Sequence, residues 1–268
     1  LESARAFSAA AQAAGRRLRI HVKADTGMSR LGWLCDEGHR TEAADAIAAV
    51  CALPGLEVEG IYTHFANADG DEAYTMGQFT RFLELLSELE GRGITFPIRH
   101  CAASAAVLKY PCTHLDMVRP GVALYGHYPD PSCEGLDGVG LRPVMALKTR
   151  VASVKAVPAG TPVSYGCTHV LERDAELAAL TVGYADGLPR LCSDQLEVLI
   201  RGQRAPIVGR VCMDMCMADA TGLGAAPGDE VELFGEHLPV EGAAALAGTI
   251  QYELLCAVSP RVPREYLN

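Results

Sequence analysis

The chain has 268 residues, of which 49% are hydrophobic and 21% charged, and its formal net charge is −10. This balance is typical of a globular protein with one large domain or two medium ones. The negative charge and the lack of a Lys/Arg block argue against nucleic acid or an anionic membrane as a partner. No apolar run in the sequence approaches the ~20 residues needed to span a bilayer.

The ten cysteines form no CxxC pair and no Cys/His cluster with zinc spacing. In a chain of this length they are typical of small buried side chains in a cytosolic protein, rather than of a secreted disulfide framework. The chain starts at Leu1 instead of Met, without a signal-peptide pattern, and residues 1–15 resemble the middle of an Ala-rich helix. We therefore expect a fragment or a processed chain.

The first half alternates helix-like and strand-like segments. The predicted helices cover residues 42–51, 76–90 and 103–109, and the predicted extended segments cover 18–22, 56–62, 96–100, 115–119 and 122–125. Such alternation predicts parallel strands joined by helical crossovers. By itself the pattern fits either a barrel or a doubly wound sheet.

The sequence pattern changes at residues 130–140, which are rich in Pro, Gly and Asp. We place two domains at residues 1–135 and 136–268. Short strand-like runs separated by Gly- and Pro-containing turns predict a mostly β second domain, closed by one short helix near 242–247. Its predicted strands cover 144–157, 177–182, 196–201, 206–211 and 229–234.

Polar side chains follow several predicted strands of the first half. Residues at the carboxyl ends of parallel strands face the functional site in barrels and open sheets alike. Each residue also has a structural explanation, such as a polar turn, a buried histidine or, for Ser104, a helix N-cap. The Gly after Pro120 frees backbone N–H groups that could hold a phosphate. The candidates are Lys23, Arg30, His64, Ser104, Arg119 and Gly121.

Three turn-rich segments of the second half also carry reactive or aromatic groups. They are residues 164–166 with Tyr165, 183–190 with Tyr184, and 209–215, where a strand runs into the charged Asp214. Any one of them could be a simple turn. Together with the strand ends of the first half, they predict a site between the two domains.

Six segments, taken together, resemble the alanine racemase family, and they occur in the family's order: VKADTGMSRLG, DMVRPGVALYG, VSYG, GYADGLPR, GRVCMDM and RVPREY. The resemblance covers residues 17–268. It implies the later part of a (β/α)₈ barrel followed by a β domain. It also implies pyridoxal 5'-phosphate (PLP) as cofactor, L- and D-alanine as substrates, a homodimer with shared active sites, a cytoplasmic location and supply of D-alanine for peptidoglycan.

The resemblance also assigns roles to residues. PLP makes the α-hydrogen of the substrate removable, and racemisation needs one proton carrier on each face of the substrate α-carbon. One carrier would be Tyr165, contributed by the partner subunit, and the other the lysine that holds PLP as a Schiff base. Arg119 would face the pyridine nitrogen, and His64 would bond to both Tyr165 and Arg119. Ser104, Gly121 and Val122 would contact the PLP phosphate, and Arg30 and the Met213 backbone would contact the substrate. Tyr184 would be an aromatic residue at the entrance of the site, and Lys23 would be carbamylated.

The lysine that holds PLP has no counterpart in this sequence. The family carries it in a motif resembling VVKANAYGHG, and none of the four lysines (Lys23, Lys109, Lys148 and Lys155) stands in such a context. We therefore expect residues 1–268 alone to be inactive as a racemase.

Pro260 is the second departure from the family, which usually has a tyrosine there whose hydroxyl contacts the PLP phosphate. Its loss would open space beside the substrate, so a serine-preferring racemase is one alternative. Ala103, where asparagine is common, is a milder change. A non-catalytic, PLP-free relative is the other alternative, and the intact set of Tyr165, His64, Arg119 and Arg30 argues against it.

Overall fold

The computed structural model describes residues 1–138 and 140–267, which fall into two compact units, residues 1–141 and 142–268. The first unit contains a four-stranded parallel sheet in the order β2-β1-β3-β4. Helices join β2 to β3 and β3 to β4, as such parallel connections require, whereas a short loop without a helix joins β1 to β2. Its elements are α1 (Glu2–Ala13), β1 (Leu18–Asp25), β2 (Trp33–Leu34), α2 (Arg40–Cys51), β3 (Leu56–Tyr62), α3 (Glu72–Gly91), β4 (Ile98–His100) and α4 (Ser104–Lys109).

The longest of these helices, α3, shows how the sequence builds the core of the first unit. The Asp71 carboxylate accepts a hydrogen bond from the backbone N–H of Tyr74 at 2.9 Å and so caps the first turn. Phe82, Leu85 and Leu89 lie on one face of the helix and are fully buried. Each such side chain contributes about 1.5–3 kcal/mol through removal from water. The apolar spacing therefore holds α3 in place.

Three expectations for the first unit were wrong. Residues 122–125 form a 3-10 turn that ends at Gly126, whose φ of +80° reverses the chain, rather than an extended segment. Residues 115–119 form no strand beyond a single bridge between Arg119 and Ala103, because Leu115 has a φ of +50° and turns the chain. Ser104 is the first residue of α4 and not its N-cap, which is Ala103.

The second unit is built on a six-stranded antiparallel sheet in the order β10-β9-β12-β5-β8-β11, with β6 and β7 as a separate pair. Its core is lined by Val, Leu, Ile and Ala side chains from these strands and from two helices. The elements are β5 (Leu147–Val157), β6 (Pro162–Val163), β7 (His169–Val170), β8 (Ala175–Leu180), β9 (Glu197–Ile200), β10 (Gln203–Pro206), β11 (Cys216–Asp219), β12 (Glu230–Phe234), α5 (Val240–Leu246) and α6 (Gln251–Ala257).

Two expectations for this unit were also wrong. The strand predicted at 206–211 ends at Pro206, with one further bridge at Ile207, because Gly209 takes a φ of +75° and breaks the extension. A second helix, α6, follows the single one that was predicted. Its apolar face is short, with Leu254 as its buried aliphatic side chain, so its periodicity is weak in the sequence.

Among the described residues, no helix combines the length and the apolar character that a membrane crossing requires. Nor do the described His, Cys, Asp and Glu side chains form a group of three or more that could hold a metal ion.

Candidate active site

The sheet of the first unit places its polar residues in one row. Lys23 on β1 pairs in register with Tyr62 on β3, and Tyr62 pairs with His100 on β4. His64 lies two residues after the end of β3, and the Arg119 backbone N–H donates to the carbonyl of Ala102 just after β4 at 2.9 Å. The parallel strands therefore bring Lys23 and His64 to one edge, and the bond to Ala102 places Arg119 there as the central group.

The Arg119 guanidinium is held from several sides. Its Nη1 lies 2.5 Å from Nδ1 of His100, and its Nη2 lies 3.2 Å from Nδ1 of His64. Nη2 also donates to the carbonyl oxygens of Thr63 at 3.0 Å and Cys101 at 3.3 Å. The Cζ atom stands 5.2 Å from the centre of the Tyr62 ring, a cation–π distance. These contacts fix the plane of the guanidinium.

Because a guanidinium only donates, it determines the tautomers of both histidines. Nδ1 of His64 and Nδ1 of His100 must accept, so each ring carries its hydrogen on Nε2. Burial, followed by the nearby Arg119, lowers the pKa of both His64 and His100 to about 4. Arg30 and Lys23 further lower the pKa of His64. Both rings are therefore neutral at physiological pH, and Nε2 of His64 is a hydrogen-bond donor.

A histidine chain continues behind Arg119. Nε2 of His100 lies 2.7 Å from Nδ1 of His21, and Nε2 of His21 lies 3.5 Å from a carboxylate oxygen of Glu59. The His100–Nε2 hydrogen points to His21, so His21 presents its own Nε2–H to Glu59. The contact crosses β3 at Gly60, where an added Cβ would lie 2.5 Å from His21 Nδ1. Only glycine leaves room for this contact.

Sequence reasoning missed His21, Glu59, Gly60 and His100 as parts of the site. His21, Glu59 and Gly60 lie within strands, at positions where a polar residue is equally typical of an exposed strand face, and His100 is the last residue of β4. The signal present in the sequence was a histidine in each of two predicted strands, but pairing between distant strands cannot be read from one chain. The structure adds them as support for Arg119.

The loop after β1 is organised by Asp25, whose Oδ1 accepts from the backbone N–H groups of Gly27, Met28 and Ser29 at 3.0 Å each. Three such bonds hold the loop that carries Arg30. Lys23 donates to the carbonyl oxygen of Leu31 at 2.7 Å.

Burial is the main influence on the Lys23 amine. Burial lowers the pKa of the Lys23 amine; Asp25 raises it, whereas Arg30 and Arg119 lower it further. The predicted residues Lys23, Arg30, His64 and Arg119 thus share one electrostatic environment.

Ser104 holds the segment that follows Arg119. Its hydroxyl oxygen accepts from the backbone N–H of Gly121 at 2.8 Å and of Ala123 at 3.3 Å. The structure therefore brings together Ser104, Gly121 and Val122, the three residues that the resemblance assigns to phosphate binding. Asp116 fixes the start of this segment by a two-oxygen ion pair with Arg99, at 2.7 and 3.1 Å.

The second unit presents Tyr165 on a strained turn. The preceding Ser164 has a φ of +63° and a ψ of −173°, a backbone conformation that is almost confined to glycine. The Ser164 hydroxyl donates to the Arg210 carbonyl at 2.7 Å and holds this conformation. Tyr165 itself is 71% exposed. The turn thus holds its phenol outward.

Tyr184 and Met213 lie on two loops that pair with each other. The backbone N–H of Tyr184 donates to the carbonyl of Cys212, and that of Ala185 donates to the carbonyl of Met213, each at 3.0 Å. Both side chains remain largely exposed, at 45% for Tyr184 and 54% for Met213. The second unit therefore groups the remaining predicted residues on joined loops.

Comparison with known proteins gives the family. The model of the alanine racemase N-terminal domain matches residues 1–129, and that of the C-terminal domain matches residues 144–266. This chain belongs to the alanine racemase family. The resemblance stated from the six segments is confirmed, as is the fold of a partial (β/α)₈ barrel followed by a mostly β domain.

Individual relatives agree with the family assignment. The alanine racemase of Desulforamulus reducens is 50% identical over 268 residues, which cover 99% of this chain and 71% of that protein. The alanine racemase of Desulfovibrio desulfuricans is 48% identical over 270 residues, with 100% and 71% covered. The solved alanine racemase of Streptomyces coelicolor A3(2) superimposes with a TM-score of 0.93 at 38% identity, with 100% and 71% covered. The chain thus spans about seven tenths of the length of these alanine racemases.

Proposed function

We propose that this protein is a PLP-dependent racemase that interconverts L- and D-alanine. Membership of the alanine racemase family supports the reaction class. The observation that carries the proposal is the Arg119 arrangement, in which a half-buried guanidinium is held by two neutral histidines and by backbone carbonyls. A donor fixed in this way suits a ring nitrogen that must accept a hydrogen bond without becoming protonated.

The donor groups of the first unit fit PLP. The Nε–H of Arg119 donates to none of the described residues, so it remains available for the pyridine nitrogen. Ser104 and the backbone at Gly121 and Val122 would hold the phosphate. When bound, PLP supplies the electron sink that makes the substrate α-hydrogen acidic.

Proton handling would fall to Tyr165 and to a lysine on the opposite face. His64 is neutral and presents Nε2–H, so it would donate to the Tyr165 oxygen of the partner subunit and stabilise the phenolate as a base. Arg30 would bind the substrate carboxylate together with the Met213 backbone, and Tyr184 would line the entrance. These roles require a homodimer with shared sites, which we include in the proposal.

The lysine that holds PLP is proposed to be none of the four in residues 1–268. Lys109 donates to the Asp69 carbonyl at 2.5 Å and to the Ser132 hydroxyl at 2.8 Å, and Lys148 pairs with Glu230 at 2.7 Å. Lys155 lies on β5 of the second unit. Residues 1–268 expressed alone with added PLP should therefore not turn over L-alanine, and measurable turnover would contradict this assignment.

Lys23 is proposed to be carbamylated. Its surroundings lower the pKa of the amine, which favours the neutral form that reacts with CO₂. The product would replace a cation beside Arg30 with an anion and so orient that guanidinium. Carbon-13 NMR of protein equilibrated with labelled bicarbonate should show a carbamate signal that is lost in Lys23→Arg; its absence from the unsubstituted protein would refute the modification.

Pro260 supports a second candidate, a serine-preferring racemase. A proline there lacks the hydroxyl that the family tyrosine supplies, and Pro260 is exposed rather than packed in the core. The test is racemisation by the full gene product, with L-alanine and L-serine compared side by side in the presence of PLP. Faster alanine turnover supports the leading proposal, and faster serine turnover supports the second. No turnover of either favours a non-catalytic relative.

A cytoplasmic location and supply of D-alanine for peptidoglycan complete the proposal. They follow from the family resemblance alone. Depletion of the gene should produce a growth requirement for D-alanine; growth without D-alanine, in a strain lacking other racemases, would contradict this role.

A further inference from the structure

Arg261 joins the two loops of the second unit that carry Tyr184 and Met213. Its Nε donates to the Asp186 carboxylate at 2.8 Å, and its Nη2 donates to the Asp214 carboxylate at 2.5 Å. Asp186 lies two residues after Tyr184, and Asp214 follows Met213 directly. One guanidinium therefore connects both loops beside the residues assigned to the substrate.

The two loops have little room to shift separately. An added Cβ at Gly183 would lie 2.3 Å from the Cys212 carbonyl oxygen and 2.4 Å from that of Met213. The backbone bonds from Tyr184 and Ala185 cross the same gap. Small changes in loop separation would thus move Tyr184 and Met213 relative to one another.

The segment that carries Arg261 is itself anchored to the first of these loops. The backbone N–H of Ser259 donates to the Asp186 carbonyl at 3.1 Å. Gly187 has a φ of +114°, and an added Cβ there would lie 2.7 Å from the Ala257 carbonyl oxygen at the end of α6. Arg264 donates to the carbonyl oxygens of Ser259 and Val258, at 2.6 and 2.8 Å. The backbone segment that carries Arg261 is therefore held in place.

The charges explain why an arginine is needed at this position. Asp186 and Asp214 are like charges brought to one guanidinium, and without it they would repel each other and push the loops apart. The Arg261 side chain is 47% exposed and that of Asp214 is 58% exposed. Ion pairs with this exposure contribute little to global stability. Their effect is local, on the geometry of the loops.

We propose that Arg261 is a positioning residue for the racemase, which sets the spacing of Tyr184 and Met213 and thereby the fit of the amino-acid substrate. The inference rests on the proposed function, because only that function gives these two residues a substrate. Lysine would keep the charge but could not reach both carboxylates in a fork. Arg261→Gln would remove both contacts.

The direct test is backbone hydrogen exchange of residues 183–190 and 209–215 in the full gene product, read by mass spectrometry. In Arg261→Gln we expect exchange in these two segments to accelerate about tenfold, the combined change for losing two exposed charge-assisted hydrogen bonds that are each weak. Arg173→Gln is the matched control, since Arg173 is 75% exposed and pairs with Asp219 in the same unit. Exchange that is unchanged in Arg261→Gln, or equally faster in Arg173→Gln, would overturn the proposal.

Kinetics supply the second readout. We expect Arg261→Gln to raise KM for alanine about tenfold with kcat little changed, which is the signature of weakened substrate fit. Adding Asp214→Asn to Arg261→Gln removes one of the repelling charges and should bring KM part of the way back. The KM of Arg261→Lys should lie between those of the unsubstituted protein and of Arg261→Gln. A drop in kcat alone, without a change in KM and without rescue, would refute positioning. If the unsubstituted protein racemises nothing, the proposed function fails, while the exchange measurement still tests the link between the loops.

Discussion

Acid should destabilise the first unit through His64 and His100. Both rings are neutral in the fold, with a pKa of about 4 that burial and then Arg119 impose. In the unfolded chain a histidine titrates near pKa ~6.5. Between these values the unfolded chain binds more protons than the folded one. The free energy of unfolding must therefore fall as the pH falls from about 6.5 towards about 4.

The size of the effect follows from the two pKa values. At about pH 5 the unfolded histidine is mostly protonated and the folded one mostly neutral, which costs about 2 kcal/mol per residue relative to about pH 7.5. The loss for both together is about 4 kcal/mol at most, because proton uptake by the two histidines of the unfolded chain sets the limit at this pH. Such a loss is a large part of the stability of an ordinary domain.

Trp33 makes the measurement specific to the first unit, because it is the single tryptophan of the chain and packs against that core. We expect urea unfolding followed by its fluorescence to show the loss between about pH 7.5 and about pH 5. His64→Gln should reduce the pH-dependent part by about 2 kcal/mol.

His39→Gln is the control for this experiment. His39 is exposed, and the hydrogen bond that its ring donates to the Asp36 carboxylate raises its pKa, so its removal cannot lessen the acid loss. Equal stability at both pH values, or a full loss retained in His64→Gln, would refute the reasoning.

Three further predictions concern single residues. Gly60→Ala should destabilise the first unit by about 1–3 kcal/mol, because the added Cβ would collide with His21. Gly77→Ala is the control, since Gly77 lies in open space on α3 and should tolerate the added Cβ. Equal urea midpoints for the two variants, followed by Trp fluorescence, would contradict this. Tyr165→Phe should abolish racemisation but leave exchange of the α-hydrogen of one enantiomer with solvent, which proton NMR can follow. Near-normal racemisation by this variant would contradict the assignment of two proton carriers. Ser104→Ala should weaken PLP binding about tenfold in an absorbance titration, and unchanged affinity would remove Ser104 from the phosphate contacts.

The sequence predicted those parts of the fold that depend on local periodicity. The segment 56–62 is β3 as predicted, and 76–90 lies inside α3, because apolar spacing alone selects a strand or a helix there. The segment 122–125 was wrongly predicted as extended, since its conformation depends on Gly126 and on the hydroxyl of Ser104, which holds the backbone from across a turn. Single turns set by distant contacts are not visible in a local pattern.

The site was predicted in part for the same reason. Lys23 lies near the end of β1 and His64 lies just beyond β3, and parallel strands bring such ends to one edge, so the sequence order already placed these two together. Arg119 reaches the same edge through its backbone bond to Ala102, although the strand predicted before it does not form. His21 and Glu59 lie within strands and His100 ends β4, and the contacts of all three depend on register and on the missing side chain at Gly60. Arg261 was recognised as part of a motif, but its two carboxylate partners lie 75 and 47 residues away along the chain.

The most direct test of the central claim is incubation of the full gene product with L-alanine and PLP in deuterium oxide, followed by proton NMR and a chiral separation. A two-carrier racemase should yield D-alanine that carries deuterium at the α-carbon, because the proton that leaves one face is replaced by one from solvent on the other. L-Alanine that keeps its α-hydrogen, with no D-alanine formed, would contradict racemisation of alanine by this protein.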